Sequence, residues 1–374
     1  MRNSMPSIRT AFLASTVIST SITLTVVTSA LADVNVVASI KPVHSLVAAV
    51  MQGVGTPDLI VEGAGSPHTY ALKPSQARQL QEADLVFWMS HDLEAFLEKP
   101  IEGIATRATS VLLMESHGLI RLNFREGGAF DSHGHDDDDD DHEGHDDHAE
   151  EKHDDHGHDD HAEEKHDDHG HDDHAKKKHD DHGHDDHAEE KHDDHDDHGH
   201  DGFDPHVWLD PLNAKAIVHE IEETLSEADP ANAATYAANA ESVMGRLDSL
   251  VAEIDAELQP VKGKGYVVFH DAYQYFENRF GVSAVGSITV SPEVLPGAER
   301  VSELQEKVRS LDATCVFSEP QFEPKLVTTI TENTNAGTGV LDPLGASIKD
   351  GPDLYFTLIR NMARALKECL SRTG

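Results

Sequence analysis

Residues 131–201 contain almost nothing apolar, so this stretch cannot contribute a hydrophobic core. Within it HDDHGHDDHAEEK, starting at His153, returns as HDDHGHDDHAKKK from His166 and as HDDHGHDDHAEEK from His179. The stretch holds 33 Asp and Glu against 6 Lys, so it carries −27 of the formal −41, and it holds 21 of the 28 histidines. Such a composition does not bury enough surface to offset chain entropy, and a disordered insertion is expected. The fold must therefore come from the two flanks. They carry the remaining −14 on about 300 residues, an ordinary acidic composition with chain enough for two compact domains. Nothing basic is concentrated enough to suggest nucleic acid, and the dense carboxylates would repel phosphate.

In the repeats, histidines fall at i, i+3, i+5 and i+8 with acids between. No such spacing builds one rigid tetrahedral cage. It offers interchangeable sites of three or four ligands each, with a ceiling of about five to seven metal ions. Each must order a flexible chain, so each is weaker than a preformed site. The acids raise the local cation concentration and the histidine pKa values, so protons compete for these sites as pH falls toward about 6. The plainer reading is a solvated acidic spacer with incidental metal affinity. Under either, the tract is an accessory.

The N-terminus opens with Arg2 and Arg9, then an apolar stretch over 11–27 and the small-x-small step Ala30-Leu31-Ala32. This predicts a secretory signal over 1–32, with the mature chain beginning near Asp33 in the periplasm. A membrane anchor is the weaker reading, because the stretch is rich in Ser and Thr. No cysteine lies near the cleavage step, so a lipoprotein is not expected. The two cysteines, Cys315 and Cys369, are an even count in an oxidising compartment, which favours a disulfide over two buried free thiols.

Short apolar or β-branched runs alternate with helical patterns, the mark of α/β units. VNVVAS (34–39), DLIV (58–61), LVFWM (85–89) and the weaker 111–114 read as strands, with helices over 43–51 and 74–83. After the insertion, helices follow over 211–228 and 231–259, the latter about 40 Å long at 1.5 Å per residue. A second series starts at Gly265, with strands at 266–269, 282–288, 314–317 and 339–341. Its helices are 272–280, 302–311, 324–333 and 354–370. The expected organisation has an N-terminal α/β lobe over 33–130 and 202–230, interrupted by the insertion at 131–201. A linking helix follows over 231–260, and a C-terminal α/β lobe over 261–374.

Seven histidines lie outside the tract. His68 follows the strand DLIV and a glycine-rich turn, His270 follows YVVF directly, and His206 in DPHVWLDP precedes a helix. Ligands of open α/β sheets bind beyond the carboxyl ends of strands, where His68 and His270 belong. Asp342 in VLDPLG and Glu319 in VFSEPQF also follow strands and are candidates to complete a site. His44, His117 and His219 read as structural; His91 reads as a cap or cleft residue.

The motifs SIKPVHSLVAAVM, GSPHTYALKPSQARQLQEADLVFWMSHDLEAFL, DPHVWLDPLNA, FHDAYQYFENRFGV, CVFSEPQF and VLDPLG occur in that order. Together they resemble the periplasmic zinc-binding proteins of high-affinity zinc-uptake ABC transporters, within the wider family of metal receptors for such transporters. The resemblance covers essentially the whole mature chain. It implies two Rossmann-like α/β lobes joined by one long rigid helix, with Zn²⁺ between the lobes. His68, His206 and His270 match its ligands, and Cys315–Cys369 matches a disulfide. It further implies a monomer that hands zinc to a membrane permease and performs no catalysis. Some zinc-type members carry Glu before the first ligand, where this chain has Pro67. The fourth ligand is then expected to be Asp342, which matches a closing carboxylate in other branches, with Glu319 and water as the competing answers. Manganese-type members have Glu where this chain has His270, and three imidazoles suit Zn²⁺.

Two rivals remain at this level. Three histidines with an open fourth position also describe a hydrolytic zinc site, but no HExxH or GxSxG motif is present. A zinc buffer or surface adhesin would rely on the tract, with the cleft incidental.

Overall fold

The computed structural model describes residues 34–125, 130, 202–289, 298–311, 313–322 and 324–372. The expected signal segment and the His/Asp-rich insertion lie outside the described residues.

Two four-stranded parallel sheets form the frame. The first contains β1 (Val36–Ala38), β2 (Asp58–Leu59), β3 (Leu85–Trp88) and β4 (Thr109–Leu112), in the order β2-β1-β3-β4. The second contains β5 (Gly265–His270), β6 (Ser283–Thr289), β7 (Cys315–Ser318) and β8 (Gly337–Val340), in the order β6-β5-β7-β8. Each sheet reverses its strand order once, between β1 and β3 and between β5 and β7. Those reversals open a crevice at the strands' carboxyl ends. The central strands VVA, LVFW and YVVF are buried along their length, as parallel strands covered on both faces must be.

Helices cover the sheets: α1 (Lys41–Val50), α2 (Pro74–Glu82) and α3 (Ala95–Gly103) belong to the first series. The second has α6 (Gln274–Phe280), α7 (Ala298–Ser310), α8 (Pro324–Thr331) and α9 (Leu354–Arg372). Between the series run α4 (Pro211–Ala228) and α5 (Ala233–Leu258). Asp210 caps α4 by accepting the Leu212 N–H, with Pro211 in the first turn where its missing donor costs nothing. The α5 helix buries Tyr236, Ala240, Val243, Leu247, Leu250, Ile254 and Leu258, one stripe at helical spacing. At 26 residues it is about 39 Å long, and it packs on α1 and α4 as well as α9. The two α/β lobes are thus joined by a long helix that touches both.

The helix expected to begin at His91 starts four residues later, at Ala95 of α3. Pro100 sits inside it and removes a donor. The last turn is kept by the Ile104 and Ala105 N–H groups, which donate to the Pro100 carbonyl at 2.8 and 3.2 Å.

One apolar core runs through both lobes, from Val37 and Phe87 past Trp208 and Leu250 to Phe276 and Tyr355. A smaller core on the outer face of the second sheet gathers Val267, Phe269, Val316 and Ile330 under α7 and α8. Cys315 on β7 is bonded to Cys369 on α9. Closing a loop with that separation of 54 residues stabilises by about 4 kcal/mol in the chain-entropy model. No helix among the described residues is long and apolar enough to cross a membrane.

Candidate metal centre

His270 ends β5, at the reversal point of the second sheet. The next strand in space, β7, delivers Glu319 beside it. Glu319 Oε1 lies 2.7 Å from His270 Nδ1 and also accepts the His270 backbone N–H at 3.3 Å. His206 is held in the same manner from its own loop: Asp204 Oδ1 lies 2.7 Å from its Nδ1 and 3.0 Å from its backbone nitrogen. A carboxylate at Nδ1 fixes the tautomer with its proton there and leaves the Nε2 lone pair for a cation.

The two Nε2 atoms are 3.5 Å apart. Tetrahedral zinc with Zn–N of 2.0–2.1 Å needs about 3.4 Å between two ligand nitrogens. His68 joins from a turn in which the Thr69 N–H donates to the Ser66 carbonyl, with Pro67 at the position where proline presets φ. Its ring centroid is 5.7 Å from that of His206 and 5.8 Å from that of His270, against 5.3 Å between those two. One ligand atom from each of the three lies within 4.8 Å of the others. Among the described residues this is the one group of three or more His, Cys, Asp or Glu close enough to hold an ion.

His206 and His270 are buried, at 5% and 6% exposure, beside buried Asp204 and Glu319. Burial alone would push the His270 pKa down, but the Glu319 carboxylate, helped by Asp271 and Asp204, holds it above the ordinary histidine value.

Asp342 is not part of this group. Its Oδ1 accepts the Leu344 and Gly345 N–H groups at 3.2 and 2.9 Å, and its Oδ2 accepts that of Ala346 at 2.7 Å. The carboxylate organises the turn that presents Pro343 and Leu344 to the cleft. Glu319 lines the cleft, with Oε1 committed to His270 and Oε2 buried without a hydrogen-bond partner. An imidazole holding a carboxylate at Nδ1 and a metal at Nε2 keeps the two roughly 6 to 7 Å apart. Glu319 therefore cannot grip His270 and ligate the same ion directly.

Among the described residues the other histidines do not belong to that group. His44 Nε2 pairs with the Pro57 carbonyl at 3.1 Å inside α1's packing. His91 is exposed against the Trp88 ring, and His219 is exposed near Glu223 on α4.

Several residues that shape the site were not singled out from sequence. Asp204 is one, although a carboxylate two residues before a histidine is a known local hydrogen-bonding pattern. Trp208, whose indole N–H donates to the Pro343 carbonyl at 2.9 Å, ties the His206 loop to the Asp342 turn. Arg125 reaches Asp271, next to His270, and Glu277 on α6. Arg279 on α6 grips Asp210 with two bonds of 2.7 Å. These contacts join the two lobes beside the cleft.

Among known families, the one described as zinc-uptake complex component A, periplasmic (ZnuA), matches residues 36–369. The high-affinity zinc uptake system protein ZnuA of Brucella suis is 54% identical over 337 residues, covering 90% of this chain and 92% of that one. Its namesake in Paracoccus denitrificans is 39% identical over 336 residues, covering 90% and 91%. A crystal structure of ZnuA superposes with a TM-score of 0.62 at 19% identity, over 90% of this chain and 99% of the other. A zinc-bound ZnuA deletion mutant gives 0.62 at 20% identity, over 90% and 98%. The structures speak to the fold, the sequences to the family.

Proposed function

The chain belongs to the ZnuA family of periplasmic zinc-uptake components, and from that premise we propose that His68, His206 and His270 hold the captured Zn²⁺ through one nitrogen each. As a member it is a non-catalytic solute-binding protein that captures zinc in the periplasm for import by an ABC transporter, and its partner is a membrane permease. The observation that carries the ligand assignment is the pair of Nε2 atoms 3.5 Å apart, each on a ring pinned by a buried carboxylate. Such a pair is set for tetrahedral Zn²⁺ before the ion arrives.

We assign the fourth position to a water rather than to Asp342 or Glu319. Asp342 would have to abandon three backbone donors to reach the ion, and Glu319 would have to release His270. A zinc-bound water has two protons to place. Glu319 Oε2 and Gln321 Oε1, both on the cleft wall and both buried without a hydrogen-bond partner, are two acceptors for them.

The wider organisation is proposed on the sequence and the family together. Residues 1–32 direct export and are removed without lipid attachment. The lobes are 33–130 with 202–230, and 261–374, joined by 231–260. The receptor works as a monomer with its Cys315–Cys369 bond intact. The 131–201 insertion carries further, weaker zinc ions that supplement the cleft.

Zinc titration by calorimetry on the mature chain, on its 131–201 deletion and on His68→Ala within that deletion tests this reading. One tight site that survives the deletion and vanishes with His68→Ala supports the cleft. A deletion chain with no tight site would overturn the ligand assignment and leave the repeats as the protein's main metal store.

A further inference from the structure

Three imidazoles do not by themselves select zinc. Co²⁺, Ni²⁺ and Cu²⁺ accept the same donors, and in the usual order of affinities copper binds above zinc. Discrimination must come from how many further ligands the site admits. Ni²⁺ and Co²⁺ readily take five or six, whereas Zn²⁺ has no electronic preference and is content with four.

The wall around the fourth position is built largely of carbon. Besides the three histidines, Pro67, Trp208, Phe322, Pro343 and Leu344 line the cavity, with Ser66, Glu319 and Gln321 as its polar side chains. Trp208 has no proton to offer there, since its N–H is spent on Pro343. Ser66 Oγ, Glu319 Oε2 and Gln321 Oε1 are the polar atoms of that wall left without a partner, enough for the two protons of one bound water and a single further hydrogen bond. Beyond what those three atoms can take, the additional waters of a five- or six-coordinate ion would face carbon and forfeit hydrogen bonds.

Phe322 is the largest apolar side chain on that wall brought in by the second lobe. Its ring stacks on Phe269 at 4.7 Å with a 10° interplanar angle, and meets the His270 ring edge-on at 6.0 Å. Its backbone N–H donates to the Glu319 carbonyl, so ring and carboxylate come from one turn. The residue that crowds His270 and the residue that orients it are thereby placed together.

We propose that Phe322, backed by Pro67, Trp208, Pro343 and Leu344, caps the coordination number of the bound ion at four and is the specificity-determining residue against metals that take more ligands. The inference rests on the three-histidine assignment above and adds to it the cause of selectivity. Phe322 touches no ligand lone pair; it acts by denying space and hydrogen bonds to additional water.

The test uses Co²⁺ as a visible probe, because four-coordinate Co²⁺ absorbs far more strongly in the visible than five- or six-coordinate Co²⁺. The mature full-length chain is loaded below one equivalent, and the same chain carrying His206→Ala serves as the blank that removes the insertion's contribution. The difference spectrum should show the intense four-coordinate band in the unsubstituted protein and in Phe322→Leu. It should weaken in Phe322→Ala, with the Ni²⁺-to-Zn²⁺ affinity ratio in competition rising about tenfold. Phe322→Thr, which keeps part of the packing against Phe269 but turns a hydroxyl toward the cleft to hold a further water, carries the same expectation should the alanine variant not fold. A four-coordinate spectrum and an unchanged metal ratio in whichever of the two folds would overturn the role of Phe322. No difference between the unsubstituted chain and its His206→Ala blank would instead defeat the site assignment itself.

Discussion

Glu319 stands 49 residues from His270 in sequence, yet its carboxylate lies 2.7 Å from the His270 Nδ1 because β5 and β7 are neighbours in the sheet. The contact fixes the ring's tautomer and leaves Nε2 to the ion. Glu319→Gln removes the charge, and an amide presents either a weaker acceptor or an N–H that would force the wrong tautomer. Zinc affinity should fall about 10- to 100-fold, the usual cost of losing such a partner. Chelator competition checks this, and an unaltered affinity in a folded variant would show that the carboxylate does not tune the ligand.

The same carboxylate sets how protons compete with zinc. Protonated His270 carries a proton on Nε2 and cannot ligate. Since the Glu319 charge lifts its pKa above the ordinary value of 6.5 despite burial, competition begins at a pH higher than that. Apparent zinc affinity should therefore decline as pH is lowered toward and through 6.5. In Glu319→Gln, burial acts without the opposing charge, so the decline should start at lower pH even though binding is weaker throughout. Calorimetry across the range from about pH 5.5 to 8 separates the two curves; coincident onsets would count against the assignment.

How much of this was readable in advance follows from where each constraint resides. The strands LVFW and YVVF are legible because a doubly covered parallel strand must be a continuous apolar run. The α5 stripe is legible because its burial keeps helical spacing for about six turns. Helix α3 was legible only as a start near His91; its first residue is Ala95, and it runs through Pro100 to Gly103. The three histidines could be named from strand ends and motif order, since both are properties of the chain. Their partners are less accessible: Glu319 reaches His270 only through a strand order in which β7, not β6, carries the carboxylate. Asp342 was correctly placed after a strand, but that its carboxylate is claimed by the backbone donors of Leu344, Gly345 and Ala346 depends on how the VLDPLG turn closes on itself.

Arg125 neutralises two buried carboxylates at once, Asp271 and Glu277, both with 5% side-chain exposure. Arg125→Met would leave them buried and unpaired, at a cost of about 3–5 kcal/mol. The denaturation midpoint should drop accordingly. Adding Asp271→Asn and Glu277→Gln to the same chain should recover most of the loss, since the penalty lies in the stranded charges. If the triple variant is no more stable than Arg125→Met alone, packing of the guanidinium rather than charge is what matters.

In the first lobe Glu94 is fully buried where β1 and β3 diverge, accepting from the Ser39 hydroxyl and from the Met89 and Ser90 backbone N–H groups. Burial, only partly offset by these donors, pushes its pKa up to about 7. Between about pH 4.5 and 7 the folded chain keeps a proton that the unfolded chain has released, so this group makes stability fall as pH rises across that window. Above it the folded state carries a buried charge at a cost of about 3 kcal/mol relative to an unperturbed Glu. Glu94→Gln, which stays neutral at every pH, should flatten that part of the stability profile while surrendering one of the acceptor oxygens. Denaturant titrations of both proteins across the window decide it: the slope difference should match one proton, and parallel profiles would show that Glu94 is ionised in the folded state throughout.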